Sequence, residues 1–158
     1  MAILLYFDTN VLCRPFDDQT IRRIRRETEA FERILEKIQT KEAAFITSDI
    51  LVFEIQRIVS PAKRAKVTIY LRFRQGYHAA TTETTLTVAD EIIRNFKLSP
   101  RDALHAASAL LGEAQYFLSC DDGVTKRFKT TPLSVNINNK DRTLEVMNPE
   151  DFITKIGW

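Results

Sequence analysis

The sequence opens with six uncharged, mostly apolar residues, 2–7, and Asp8 follows them at once. A short run of this kind predicts a strand buried on both faces, as at the centre of a parallel sheet. Asp8 then lies at the carboxyl end of that strand, where open α/β sheets form their binding sites. Because Asp is also common in turns, Asp8 alone does not establish a site. The question is whether other acids reach the same edge.

Length and composition indicate one ordinary globular domain. The chain has 158 residues, 44% hydrophobic and 28% charged, so we expect a single domain over residues 1–158 with a sizeable core. No apolar run approaches the length of a membrane span, and the opening lacks the basic flank of a signal peptide. We therefore expect a cytoplasmic protein with no membrane role.

Charge and cysteine content exclude little more. The net charge of +2 is too small to indicate a nucleic-acid partner by itself. Cys13 and Cys120 do not make a disulfide framework, and no His or Cys pair has zinc-ligand spacing. Both thiols are expected to be reduced.

Further buried strands are predicted at residues 43–47, 115–119 and 144–147. Asp121 and Asp122 come just after the second of these, so an acid again lies past the carboxyl end of a strand. Residues 130–142 are polar and irregular, which indicates a surface loop or a hairpin. Strands that alternate with helices predict an α/β fold built on a mostly parallel sheet.

Helices fill the connections between these strands. Helical spacing and capping signals predict them at about 17–40, 50–59, 62–77, 88–96 and 99–110, with a short one near 126–129 and a last one from about 148. Residues 81–87 are expected to connect two of them. The helix after Ser99 is rich in small residues, which allow close approach to a sheet.

Two more acids are placed on these helices. Glu54 falls on the apolar stripe of its helix, and either pairs with Arg57 three residues on or points into the crevice. Asp102 lies in the first turn after Ser99 and Pro100, where it serves as the acidic half of a capping box, as a metal ligand or as both. Neither pattern alone decides between these readings.

Basic residues concentrate in one acid-free stretch, from Ser60 to Thr82. Cations interleaved with aromatic rings suit a surface that tracks a phosphate backbone and stacks bases, although a solvated helix with core aromatics fits nearly as well. The candidate RNA-binding residues are Lys63, Arg64, Lys66, Arg72 and Arg74. A second basic run, residues 22–26, is explained more simply by pairing with Glu one turn on.

Four carboxylates gathered at one edge of a sheet would repel one another unless a cation neutralised them. A hard oxygen site of this kind suits Mg²⁺ or Mn²⁺, and its natural use is to hydrolyse a phosphodiester with an activated water. The candidate catalytic and metal-binding residues are Asp8, Glu54, Asp102 and Asp121.

The same residues resemble a known family. The opening 8–12, Glu54 on the second helix, the block 102–107 and the run 119–121 after a strand resemble, in order, the motifs of the PIN-domain ribonucleases. Many members are VapC-type toxins of toxin–antitoxin pairs. The resemblance spans nearly the whole chain, although 130–142 is longer than in compact toxins.

The resemblance implies a three-layer α/β/α sandwich with a central, mostly parallel sheet. It also implies metal-dependent RNA cleavage and a homodimer whose site is covered by an antitoxin protein. Asp8, Glu54, Asp102 and Asp121 match the family's acidic positions, and Asn10 matches its supporting polar residue. Asp122 competes with Asp121 for the fourth position.

Two rival functions fit parts of the sequence. A catalytically silent RNA-binding module would keep the fold and the basic stretch, but a binder of phosphate gains nothing from clustered negative charge. A phosphatase is poorly supported, because Asp8-Thr9-Asn10 lacks a second aspartate two residues after the first. His78 and His105 are interpreted as structural and are assigned no role; the alternative is that His105, one turn after Asp102, orients that carboxylate.

Overall fold

The computed structural model describes residues 2–74 and 77–158. Its six-stranded sheet has the order β3-β2-β1-β4-β6-β5, and every neighbouring pair is parallel except β5 and β6. The strands are β1 (Ile3–Phe7), β2 (Ala43–Ser48), β3 (His78–Ala79), β4 (Tyr116–Leu118), β5 (Leu133–Ile137) and β6 (Lys140–Met147). The helices are α1 (Thr9–Cys13), α2 (Arg22–Gln39), α3 (Asp49–Gln56), α4 (Pro61–Tyr70), α5 (Glu83–Phe96), α6 (Pro100–Leu111), α7 (Asp122–Thr125) and α8 (Pro149–Ile156).

Strand β1 lies between β2 and β4, and its last three residues have no exposed surface. Phe7 packs on one face against Phe31 and Phe45, with ring centroids 5.4 and 5.3 Å away. Tyr6 packs on the other face against Phe117, at 5.4 Å. Each face therefore has its own hydrophobic core, as the uncharged opening predicts for a central strand.

Helices cover both faces of the sheet. One core gathers residues of α5, α6 and the β5–β6 hairpin, and the other gathers residues of α1–α4 and α8. This arrangement confirms the predicted three-layer α/β/α fold with a mostly parallel sheet.

Helix α6 approaches the sheet closely, as its small residues predict. Ala103, Ala106 and Ala107 are fully buried against it. At the end of the helix, a Cβ on Gly112 would come within 2.4 Å of the Ile46 side chain. The close packing fixes α6, and with it Asp102 and His105, relative to β1.

Some predicted boundaries were wrong. The helix expected over 62–77 ends at Tyr70 and is followed by a 3₁₀ turn, Leu71–Phe73; residues 75 and 76 of that prediction lie outside the described chain. The next helix begins at Glu83 rather than near 88, because Thr82 and Thr85 form a reciprocal cap. The helix expected from about 17 begins at Arg22, after the N-cap Ile21.

Most of the polar segment 130–142 lies in a hairpin made by β5 and the start of β6, which is one of the two structures predicted for it. Leu133, Val135 and Ile137 point into the core, while Ser134 and Asn136 are exposed. Asn138 and Asn139 turn the chain at φ of 53° and 62°, a region that Asn tolerates better than most residues. The alternating pattern and the turn together make β5 an antiparallel edge strand.

Over the described ranges, no helix is both long and apolar enough to cross a membrane.

The two-sided core predicts a large difference between buried and exposed phenylalanines. Phe117 is fully buried between Tyr6 and α6, so Phe117→Ala is expected to reduce the free energy of unfolding by about 3–5 kcal/mol. Phe53, which is 44% exposed, is the matched control, and Phe53→Ala should cost within about 1 kcal/mol. Urea denaturation measures both, and equal losses would contradict the assignment of Phe117 to the core.

Candidate metal centre

Asp8 lies where β1 ends, and it is the N-cap residue of α1. Its backbone N–H donates to the Leu118 carbonyl at 2.9 Å, which joins the ends of β1 and β4. Oδ2 of its carboxylate accepts hydrogen bonds from Ser119 Oγ at 2.8 Å and from Asn10 Nδ2 at 3.1 Å. The side chain is only 8% exposed, so these donors replace most of its water.

Asn10 bridges the two strand ends. Its amide nitrogen donates to Asp8 and also reaches Ser119 Oγ at 3.3 Å, while its Oδ1 accepts the Cys120 N–H at 3.0 Å. One side chain thus fixes both the first acid and the backbone that leads to Asp121. The supporting role of Asn10 stays a prediction.

Glu54 reaches Asp8 from α3. Its Oε1 accepts hydrogen bonds from Thr9 Oγ1 at 2.6 Å and His105 Nε2 at 2.5 Å, and its Oε2 lies 3.6 Å from the Arg101 guanidinium. The alternative partner considered from the sequence, Arg57, instead lies over the Phe53 ring at 5.2 Å. Glu54 therefore points towards Asp8 and His105 instead of pairing with Arg57.

His105 is the site residue that sequence reasoning missed. It is 1% exposed, and its Nε2 lies 3.8 Å from Asp8 Oδ1 as well as 2.5 Å from Glu54. Its Nδ1 lies 2.6 Å from the buried Tyr6 hydroxyl, which in turn contacts Ser48 Oγ at 2.6 Å. The available signal was its position three residues after Asp102, one helical turn along the same face of α6.

Asp102 occupies the first turn of α6 and is half-buried. Its backbone N–H donates to Ser99 Oγ at 3.2 Å, and the same hydroxyl donates to Asp102 Oδ2 at 2.8 Å. The capping function anticipated from the sequence is therefore present. Its charge also contributes to raising the pKa of Asp8, so the carboxylate remains close enough to act on that site.

The two consecutive acids after β4 have different surroundings. Asp121 is exposed, its backbone N–H donates to Ser119 Oγ at 3.1 Å, and its Oδ1 accepts the Gly123 N–H at 2.8 Å. Asp122 accepts two hydrogen bonds from Arg23, at 2.7 and 2.8 Å. Because Ser119 links Asp121 to Asp8 while Arg23 engages Asp122, Asp121 is the better candidate for the fourth acid.

The cluster is electrostatically strained. Burial raises the pKa of Asp8, and the attraction of His105 and the Ser119 hydrogen bond offset this effect only in part. Half-burial also opposes ionisation of Glu54, but hydrogen bonds from His105 and Thr9 outweigh it and lower the pKa of Glu54. The site thus combines a carboxylate whose ionised form is destabilised, Asp8, with one whose ionised form is stabilised, Glu54.

Asp8, Glu54 and His105 each offer a ligand atom, and these atoms lie within 4.8 Å of one another. Of the four acids predicted from the sequence, Asp8 and Glu54 belong to this group and Asp102 and Asp121 do not. The two carboxylates are oxygen donors of the kind that suits Mg²⁺ or Mn²⁺. A thiol nucleophile is disfavoured, because burial raises the pKa of both Cys13 and Cys120.

The basic stretch is largely engaged within the protein. Lys63 pairs with Asp17 at 2.9 Å, Arg64 donates to the Ile58 carbonyl, and Arg74 donates to Thr47 Oγ1. Lys66 lies 5.8 Å from the centre of the Phe16 ring, and Arg72 is exposed. Tyr70 packs on Phe31 at 5.2 Å, so this aromatic belongs to the core.

Comparison with known proteins agrees with this fold. A sequence model described as the PIN domain matches residues 5–129. No curated protein sequence matches significantly. Among solved structures, a toxin–antitoxin complex from Klebsiella pneumoniae has 17% identity and a TM-score of 0.60, and the alignment covers 94% of this chain and 98% of that one.

Two further structures are similar. FitAcB from Neisseria gonorrhoeae aligns at 17% identity and a TM-score of 0.56, over 93% of this chain and 98% of that one. VapBC2 from Rickettsia felis, bound to a DNA fragment from their promoter, aligns at 14% identity and a TM-score of 0.58, over 91% and 98%. At these identities the structural matches establish the shared fold.

The raised pKa of Asp8 predicts that this residue destabilises the metal-free protein. At neutral pH the unfolded chain carries Asp8 ionised, whereas burial opposes ionisation in the folded protein. This cost is therefore present at neutral pH and shrinks as the pH falls from the raised pKa towards the ordinary one. Asp8→Asn should therefore be more stable than the wild type at pH 7 in EDTA, with a difference that shrinks towards pH 4.5.

Urea unfolding at the two pH values measures this difference. Asp90→Asn, an exposed substitution of the same type on α5, is the control and should show neither effect. A less stable Asp8→Asn protein at pH 7 would contradict the argument.

Proposed function

Since this chain belongs to the PIN domain family, we propose that it is a divalent-metal-dependent endoribonuclease that hydrolyses RNA phosphodiester bonds. The observation that carries the proposal is the convergence of Asp8 and Glu54, from different elements, at the carboxyl edge of the sheet. Two carboxylates that meet in a buried position repel one another, and a bound divalent cation would neutralise them.

In this proposal Asp8 and Asp102 are the main metal ligands, and Glu54 and Asp121 complete the site directly or through water. Ser119 and Asn10 both bond Oδ2 of Asp8, and so orient its other oxygen, Oδ1. Thr9 and His105 hold Oε1 of Glu54 in the same way. Because these donors fix the carboxylates, little reorganisation is needed when an ion, Mg²⁺ or Mn²⁺, is bound.

A bound divalent ion would supply an activated water and offset the charge on the departing oxygen. The protein itself orients the carboxylates, and one of them accepts the proton of the attacking water. Arg101, 63% exposed beside Glu54, provides a cation at the rim for a substrate phosphate. Lys66 and Arg72 are the best placed of the basic stretch to bind the RNA backbone, because the other three are engaged internally.

We also propose that the protein is the toxin of a toxin–antitoxin pair, acting in the cytoplasm as a homodimer that an antitoxin protein neutralises. The similar solved structures support this, since they include a toxin–antitoxin complex and VapBC2. Exposed apolar side chains on and beside α3 and α4, namely Phe53, Val59 and Ile69, suit a protein partner.

The catalytically silent RNA-binding module is not favoured. Asp8 is buried with a raised pKa, which costs stability without adding any attraction for phosphate. Such a cost is understandable in a site that holds a cation.

Metal binding is expected to stabilise the fold through these acids. At about 100 times the dissociation constant, an ion stabilises the protein by roughly 2.7 kcal/mol, which thermal unfolding detects easily. Mn²⁺ and Mg²⁺ should raise the melting temperature of the wild type and of Asp90→Asn in a saturable way, but not that of Asp8→Asn/Asp102→Asn. Equal stabilisation of all three proteins would place the metal elsewhere.

RNA cleavage should depend on the same residues. Asp102→Asn removes a proposed ligand, so the cleavage rate with Mn²⁺ should fall by at least about 100-fold, whereas Asp90→Asn should stay within about twofold. Gel analysis of a mixed RNA substrate, with and without EDTA, measures the effect. Cleavage by Asp102→Asn within a few-fold of the wild type would contradict the proposed site.

A further inference from the structure

A fully buried carboxylate lies outside the candidate metal centre. Glu27, on α2, has no exposed surface and accepts hydrogen bonds from three other residues. Arg14 Nε reaches its Oε1 at 2.9 Å, Arg23 Nε reaches its Oε2 at 3.3 Å, and Asn148 Nδ2 also donates to Oε2. The charge is therefore well satisfied.

Stability alone gives a weak reason for such an arrangement. Removing a carboxylate from water costs several kcal/mol, and a well-packed apolar side chain at a buried ion-pair position is often as stable or more so. What the network supplies is fixed geometry. Glu27 joins Arg14, directly after α1, to Arg23, which contacts the loop between β4 and α7.

Arg23 holds both ends of the segment 120–122 through three hydrogen bonds. Its guanidinium donates to both carboxylate oxygens of Asp122, at 2.7 and 2.8 Å, and to the Cys120 carbonyl at 3.1 Å. The hydrogen bonding of Arg23 to the Asp122 carboxylate lowers the pKa of Asp122. The residue between these two anchors is Asp121, the candidate fourth acid.

The loop is held from the opposite side as well. The Cys120 N–H donates to Asn10, within the candidate metal centre, while the Cys120 carbonyl accepts from Arg23. We propose that Arg23, oriented by Glu27, is a positioning residue that places the Asp121 carboxylate at the metal centre. This inference rests on the proposed function, because it assigns Asp121 to that centre.

Arg23→Gln and Asp122→Asn test the proposal from the two ends of one ion pair. Arg26→Gln is the matched control, since Arg26 is on the same helix and pairs with Glu150 at 2.9 Å, with a 54% exposed side chain. In Arg23→Gln the buried Glu27 keeps Arg14 and Asn148 as donors, and Asp122→Asn leaves all three Glu27 contacts in place, so the second variant tests the loop without disturbing the buried carboxylate.

The first measurement needs neither metal nor RNA. The Cys120 amide is bonded to Asn10 and the Gly123 amide to Asp121 Oδ1, so their hydrogen exchange reports the loop geometry. In EDTA, both amides should exchange about tenfold faster in Arg23→Gln and Asp122→Asn than in the wild type, and at the wild-type rate in Arg26→Gln.

The second measurement is the Mn²⁺ concentration that half-saturates RNA cleavage. Loss of a group that orients a metal ligand typically costs about 10–100-fold, so both variants should need at least about tenfold more Mn²⁺, with KM for RNA within about twofold. The double variant should be no worse than Arg23→Gln alone, because Arg23→Gln already breaks the contact that Asp122→Asn removes.

Exchange rates and Mn²⁺ requirements that match those of Arg26→Gln would overturn the positioning role. If Asp102→Asn still abolishes cleavage in that case, the nuclease proposal stands and only this inference fails. A third outcome is that the wild type neither binds Mn²⁺ nor cleaves RNA, while both amides still exchange faster in Arg23→Gln and Asp122→Asn. That result would overturn the assignment of Asp121 to a metal centre and would show that Arg23 holds the loop.

Discussion

The structure depends on a strand that is buried on both faces and ends in a carboxylate. Burying β1 gives the sheet its two cores, but it also carries Asp8 away from water at the strand end. A desolvated carboxylate must be compensated by hydrogen bonds or by charge. Asn10 and Ser119, the polar residues at the ends of β1 and β4, compensate the Asp8 carboxylate in part. The pKa of Asp8 nevertheless stays raised, so a bound cation would stabilise its ionised form.

The same logic explains the polar chain behind the site. Ser48, Tyr6 and His105 are all buried, and they connect by short contacts to Glu54. Tyr6 contacts both Ser48 Oγ and His105 Nδ1, and His105 Nε2 donates to Glu54, so each side chain of this four-residue network has a hydrogen-bond partner. The consequence is a carboxylate whose orientation is set by residues from three separate elements of the fold.

How much of this follows from the sequence depends on how local each signal is. An uncharged run followed by an acid identifies β1 and Asp8, and Ser99 with Pro100 identifies the start of α6, because both signals lie within a few residues. His105 and the partner of Glu54 could not be found in that way. Arg57 is a neighbour in sequence, whereas His105 meets Glu54 only through the packing of α6 against α3.

The two-residue strand β3 was missed for a similar reason, since its pairing with β2 is a property of the sheet rather than of His78 and Ala79. Residues 62–77 show the opposite error, in which helical spacing continues past the point where a 3₁₀ turn ends the helix. The reciprocal cap of Thr82 and Thr85 is a local signal, but a Thr-rich stretch is also typical of a connection between helices. The start of α5 was therefore predicted too late.

The order of the strands has a consequence for how the protein is made. The central strand is synthesised first, yet Ser119, which bonds Asp8, lies 111 residues further along the chain. At ribosomal rates of about 5–20 residues per second, roughly 5–20 s separate the two. During that interval Asp8 has neither its β4 neighbour nor the Ser119 hydrogen bond, one of the two that hold its carboxylate in the folded protein. The candidate metal centre therefore cannot be completed until residue 119 of 158 has been synthesised, although its first acid is at position 8.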